Sequence, residues 1–147
     1  MSDNVPSIGQ ICLDTLRDTD RDRYLACLLA PEDKRADLAA LFAFNAELAR
    51  IRDLVHEPLP GEVRMQWWRD LLEGNPHGAS DANPLAAGLL AAVSRHRLPI
   101  SALTELIETR IFDLYDDPIE NRAGLEAYAG HTASTLIQLS SLILDSM

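Results

Sequence analysis

The chain has 147 residues, 47% of them hydrophobic, and carries 13 Lys and Arg against 23 Asp and Glu, for a net charge of −10. That length supports one packed core and gives no reason to divide the chain. The acidic balance argues against non-specific attraction to nucleic acid or to anionic lipid headgroups.

The first residues contain Asp3, Pro6 and Asp14 and lack both a basic opening and an apolar run, so neither a secretory signal nor a transit peptide is visible. No helix is expected before residue 19, and about the first 17 residues are assigned to disorder. Cys12 and Cys27 belong to no C-x-x-C pair and have no histidine at ligand spacing, which predicts two reduced thiols.

Helix formers then dominate and strand-like alternation is absent, predicting six helices and no sheet. The first spans about residues 19–29. Pro31 at a helix start, with Glu32 and Asp33 in the first turn, opens a second at about 31–55 that Pro58 and Pro60 are expected to end. A third follows at about 61–72. The loop 74–83, rich in Gly, Asn and Pro, leads to a fourth at 84–95.

The fifth helix, 101–115, carries Leu103, Leu106, Ile107, Ile111 and Leu114 on one stripe and stops before Asp117 and Pro118. The sixth runs from about residue 123 to the end. Leu136, Leu139 and Ile143 define one face there, and Ile137 and Leu144 widen the apolar surface. A helix of that kind needs neighbours on several sides, so the chain reads as the N-terminal part of a larger all-α domain. The longest apolar run, 85–93, is too short to span a bilayer. A soluble, cytoplasmic protein is expected, with peripheral contact at the inner membrane of a bacterium left open.

The second helix holds the candidate chemistry. Leu41, Phe44, Leu48, Ile51 and Val55 recur at spacings of three and four and form a core stripe. Roughly opposite lies a second row, Phe42, Ala46, Ala49, Asp53 and Glu57, too apolar for a solvent face. Burial on two sides is expected, with one side facing a cavity. Asp53 and Glu57, one turn apart, are the candidate Mg²⁺ pair, against a plain reading as helix-end acids. Arg50, Arg52, Arg64 and Arg69 are candidate diphosphate donors, against intramolecular salt bridges. Trp67 and Trp68 cannot share one helix face and are assigned to aromatic packing in different layers. Asp113, Asp116 and Asp117 read as a solvated turn. His96 is placed at an exposed helix end, and His56, His77 and His131 have no companions at metal-ligand spacing.

Several ordered segments carry a family resemblance: Arg23-Tyr24-Leu25-Ala26, then 29–35 around Pro31, then Leu41-Phe42-Ala43-Phe44, Gln66-Trp67-Trp68-Arg69-Asp70, Asp113-Leu114-Tyr115 and 125–129. Over roughly residues 20–145 the chain resembles the N-terminal half of squalene and phytoene synthases. The resemblance implies a single isoprenoid-synthase-like helical domain over residues 1–147, with a central cavity, forming only part of the full fold. Active members condense two prenyl diphosphates head to head, using two aspartate-rich motifs that hold Mg²⁺, with arginines and serines on phosphate oxygens.

In this chain the first aspartate-rich motif falls on Ala49-Arg50-Ile51-Arg52-Asp53, so only Asp53 of its acids survives. The family's preceding arginine falls on Ala46. Asp22 and Arg23 precede Tyr24 where serines are usual, which would set a carboxylate against phosphate, at about 4 kcal/mol for like charges 4 Å apart at an effective dielectric near 20. The second motif would lie beyond Met147. The degenerate cavity face implied is Tyr24, Phe42, Ala46, Ala49, Arg50 and Asp53.

One branch is similar in detail, through 44–49, the lone Asp53 and Arg64-Met65-Gln66: the phytoene-synthase-like proteins of respiratory complex I assembly. That resemblance implies a non-catalytic scaffold, without a cofactor, for a complex I subunit or assembly intermediate. The alternative is a prenyl diphosphate transferase or binder using Mg²⁺ on Asp53 and Glu57, with Arg50 and Arg52 on phosphate.

Overall fold

A computed structural model describes residues 7–54, 58–74, 83–114 and 130–145, with side-chain surroundings for all of these except 52–54, 58, 113, 130 and 131. The described residues form seven α-helices and no strand: α1 (Ile8–Thr19), α2 (Arg21–Leu29), α3 (Glu32–Leu54), α4 (Pro58–Leu72), α5 (Pro84–His96), α6 (Ile100–Leu114) and α7 (Thr135–Asp145). A π-helical turn, Gly130–Ser134, runs into α7. The all-α expectation is met.

The start of the chain corrects the sequence reading. Residues 8–17, assigned to disorder, belong to helix α1, whose Cys12 and Leu16 are completely buried. Ser7 caps it by accepting the Gln10 N–H at 3.1 Å, and Ile8, Cys12 and Leu16 follow at spacings of four. Gly9 opposes helix on propensity alone. Its value is close approach: a Cβ there would lie 2.9 Å from the Ala36 Cβ of α3. Gly88 of α5 meets the same bundle, with Ala40 Cβ at 3.3 Å and Cys12 Sγ at 3.5 Å from an added Cβ. Small residues thus let α1, α3 and α5 pack closely.

Asp20 divides α1 from α2, donating its N–H to Leu16 at 2.8 Å and accepting the Arg23 N–H at 3.4 Å. Arg35 ties α2 to α3. Its Nε donates to Cys27 O at 3.2 Å, and its Nη2 reaches Leu28 O at 3.1 Å and Ala30 O at 3.3 Å. These carbonyls lie at or just past the end of α2, where a helix lacks internal donors, and Pro31 brings none of its own.

Helix α3 touches each of the other six α-helices. Residues 37–46 are buried on every face, as two-sided burial requires. Phe44 packs edge-on against Trp68 at 5.2 Å, and Trp68 against Trp67 at 5.1 Å. Trp68 is core and Trp67 half-buried, so the adjacent tryptophans do serve different layers.

Two boundaries differ from expectation. Pro58 and Pro60 lie in the first turn of α4, where the missing N–H is harmless, so they begin a helix as well as follow one. Helix α5 extends to His96, closed by Arg97 in the left-handed conformation at φ 52°. In α7, Leu136, Leu139 and Ile143 are buried while Ile137, Leu142 and Leu144 are exposed. The expected start of that last helix, at 123–129, lies outside the described residues, as do Val55, Tyr115, Asp116 and Asp117.

Candidate functional site

The second face of α3 borders a cleft of about 330 Å³. Asn45, Ala46, Ala49 and Arg50 of α3 line one side; Thr19, Asp20 and Arg23, around the α1–α2 junction, and Arg110 of α6 line the rest. Ala46 is buried and Ala49 half-buried, so the predicted cavity face does adjoin a cavity there.

The described lining is cationic, with three arginines and one carboxylate. Arg23 Nη1 bonds Asp20 Oδ2 at 2.7 Å, and its guanidinium stands 5.9 Å from the centre of the Phe42 ring. Arg50 Nη1 lies 3.7 Å from Glu47 Oε2, a loose contact between side chains that are 55% and 24% exposed. Arg110 Nη2 donates to Asn45 Oδ1 at 3.3 Å, across 65 residues of sequence. Asn45 is itself buried, so its amide is the polar anchor beneath Arg110.

Of the cavity face named from the resemblance, Ala46, Ala49 and Arg50 line the cleft, and Phe42 lies buried beneath Arg23. Tyr24 is partly buried against the hydrophobic core and is not in the lining. Asp53 falls within α3, but its side chain lies outside the described set, as does all of Glu57, so the proposed Mg²⁺ pair lies there too. Asp22 is exposed; the residue of that segment lining the cleft is Arg23. The carboxylate at the cleft is therefore that of Asp20, the N-cap of α2, beside the Arg23 guanidinium, and not that of Asp22.

Of the four candidate arginines, the three with described side chains are not brought together. Arg50 lines the first cleft. Arg64 lines a second, of about 320 Å³, with Trp67 and Glu47 among its walls. Arg69 bridges Glu73 at 3.2 Å and Glu108 at 2.9 Å, joining α4 to α6. The side chain of Arg52 is outside the described set. These placements give Arg69 a structural role and do not bring Arg64 to the first cleft.

His96 also corrects its sequence assignment. Instead of an exposed end, its side chain is 3% exposed, with Nε2 at 2.6 Å from Asp37 Oδ2. It continues the buried side of α5 marked by Leu89 and Ala92, a periodicity hidden by the flanking Arg95 and Arg97. Arg95 Nη1 reaches the same carboxylate at 2.6 and 2.7 Å. The cysteines are inert: burial raises both thiols from 9.0 to about 11, with Arg35 lowering and Asp20 raising Cys27 secondarily.

A divalent cation needs several carboxylate oxygens. The cleft offers one acid, Asp20, already bonded to Arg23, and among the described residues no group of three His, Cys, Asp or Glu is placed to hold a metal. The described lining therefore does not fit Mg²⁺.

The sequence matches the squalene/phytoene synthase family over residues 16–146. The chain belongs to that family. Its all-helical bundle is accordingly the isoprenoid-synthase type of fold. Curated relatives include proteins named NADH dehydrogenase (ubiquinone) complex I, assembly factor 6. The Homo sapiens protein is 38% identical over 133 residues, covering 90% of this chain and 40% of the relative. The Bos taurus protein is 40% identical over 137 residues, covering 90% and 40%, and the Rattus norvegicus protein 36% identical over 140 residues, covering 95% and 42%. The chain thus spans about 40% of the length of these relatives. Its first cleft is lined by Ala46, Ala49 and Arg50.

Proposed function

We propose that this family member is a non-catalytic, protein-binding scaffold acting in the assembly of respiratory complex I, on a complex I subunit or assembly intermediate. The observation that carries this reading is the cleft beside α3, whose lining includes Ala49 and Arg50, where the resemblance implies acids, and Ala46, where it implies an arginine. A cluster of guanidinium groups disfavours Mg²⁺, and without the metal the leaving diphosphate loses the metal's share of its electrostatic stabilisation. Relatives named as complex I assembly factors support the choice of partner. In this proposal the scaffold works peripherally at the inner membrane face of a bacterium; no described helix is long and apolar enough to cross a membrane.

Deleting the gene in its host lowers the amount of assembled NADH dehydrogenase and leaves squalene and carotenoid products unchanged. Normal complex I in the deletion strain overturns the proposal. A calorimetric titration of the purified chain with farnesyl diphosphate and Mg²⁺ provides the second arm. Metal-dependent micromolar binding abolished by Asp53→Ala would establish the alternative, a prenyl diphosphate binder, in place of the scaffold.

A further inference from the structure

We propose that the cleft lined by Arg23, Arg50 and Arg110 receives a short acidic segment of a partner protein, holding its carboxylates directly by guanidinium forks. The inference rests on the scaffold reading and identifies the chemistry its partner presents.

The chain carries a net charge of −10, yet among the described residues lining this cleft three arginines surround one aspartate. A local positive site on an acidic molecule is selective: the whole-molecule field opposes large polyanions, while the cleft attracts a short anionic stretch at close range. The arginines come from α2, α3 and α6, so tertiary packing converges them. Each is oriented by a neighbour, Arg23 by Asp20 at 2.7 Å, Arg50 loosely by Glu47 at 3.7 Å, and Arg110 by Asn45 at 3.3 Å.

Such orientation lowers the side-chain entropy lost on binding. The Arg23 and Arg50 side chains remain 38% and 55% exposed and present further N–H donors to solvent, since a guanidinium has five. The protein carboxylates beside them partly offset their charge, which suits singly charged carboxylates spaced along a peptide better than one concentrated polyanion. Ala46 and Ala49 leave room in the floor: a cleft of about 330 Å³ admits one or two acidic side chains.

The test uses the full chain and a fluorescein-labelled hexapeptide alternating glutamate and glycine, with the glutamine analogue as control. Fluorescence anisotropy, with EDTA present, is expected to show saturable binding of the glutamate peptide that weakens as salt is added. Arg50→Glu, at an exposed position, is expected to weaken it roughly tenfold or more, as charge reversal across an interface does. Arg110→Gln is expected to act in the same direction. Circular dichroism confirms that each variant folds. Equal binding of the glutamine peptide, no saturable binding, or unchanged affinity in folded Arg50→Glu overturns the proposal. So does displacement of the peptide only by inorganic diphosphate with Mg²⁺, which would return the cleft to prenyl-diphosphate chemistry. Failure here leaves the complex I deletion result untouched, so the two readings are separately decided.

Discussion

Asp37 on α3 and His96 on α5 are 59 residues apart in sequence, yet His96 Nε2 lies 2.6 Å from Asp37 Oδ2, with both side chains almost wholly buried. Arg95 completes the arrangement from the solvent side, where it is 60% exposed. One carboxylate therefore joins the start of α3 to the end of α5. Buried acids without a partner are strongly unfavourable, so each group depends on the others.

Asp37→Ala is expected to lower stability by about 3 kcal/mol, because it removes the buried carboxylate that pairs with His96 and Arg95 between α3 and α5. Equilibrium unfolding in urea measures this. Arg95→Ala is expected to have a smaller effect, since much of that side chain already contacts water.

Arg35→Ala removes donors from three carbonyls at the end of α2. A loss of about 2 kcal/mol is expected, in line with hydrogen bonds from charged groups. Arg35→Lys is expected to restore only part, because an ammonium cannot reproduce the planar fork. Thermal unfolding followed by circular dichroism tests both.

Gly88→Val drives a branched side chain into Ile8, Ala40 and Cys12, with the first of these only 3.0 Å from an added Cβ. Overpacking is expected to destabilise by about 1–3 kcal/mol. Exchange of α1 amide protons is expected to accelerate more than that of α4, as hydrogen-exchange mass spectrometry would show.

Cys12 and Cys27 are expected to react slowly with a thiol reagent near neutral pH, because burial raises both to about 11. The sign of the linkage follows: a thiol held above its unfolded value stabilises the fold in its protonated form. That contribution is complete below pH 9 and is lost as pH rises towards about 11. Urea midpoints measured across this window should fall for the native chain and fall less for Cys12→Ala.

Most of the helices were legible because their signals are local. The stripe through Leu41, Phe44, Leu48 and Ile51, the paired rows of α3, and the Asn83-Pro84 start of α5 follow from periodicity and from cap or proline chemistry. Helix α1 is only weakly signalled in the sequence: Gly9 counts against helix by propensity, and its packing on Ala36 is a tertiary contact. Polar residues on core stripes were the available clue to the rest. Asp37 precedes Leu41 by four residues, Asn45 lies between Leu41 and Leu48, and Arg110 fits the stripe of Leu103, Leu106 and Leu114.

By itself, the sequence determined the helical class and the family, and put Ala49 and Arg50 where the resemblance implies acids, since each depends on residue identity and short spacing. Only the tertiary structure decided that Arg23, Arg50 and Arg110 share one cleft, that Arg64 and Arg69 do not, and that His96 is interior. These are contacts between helices far apart along the chain. Helical periodicity sets which face a residue occupies on its own helix, whereas the helix opposite is chosen by packing of the whole bundle.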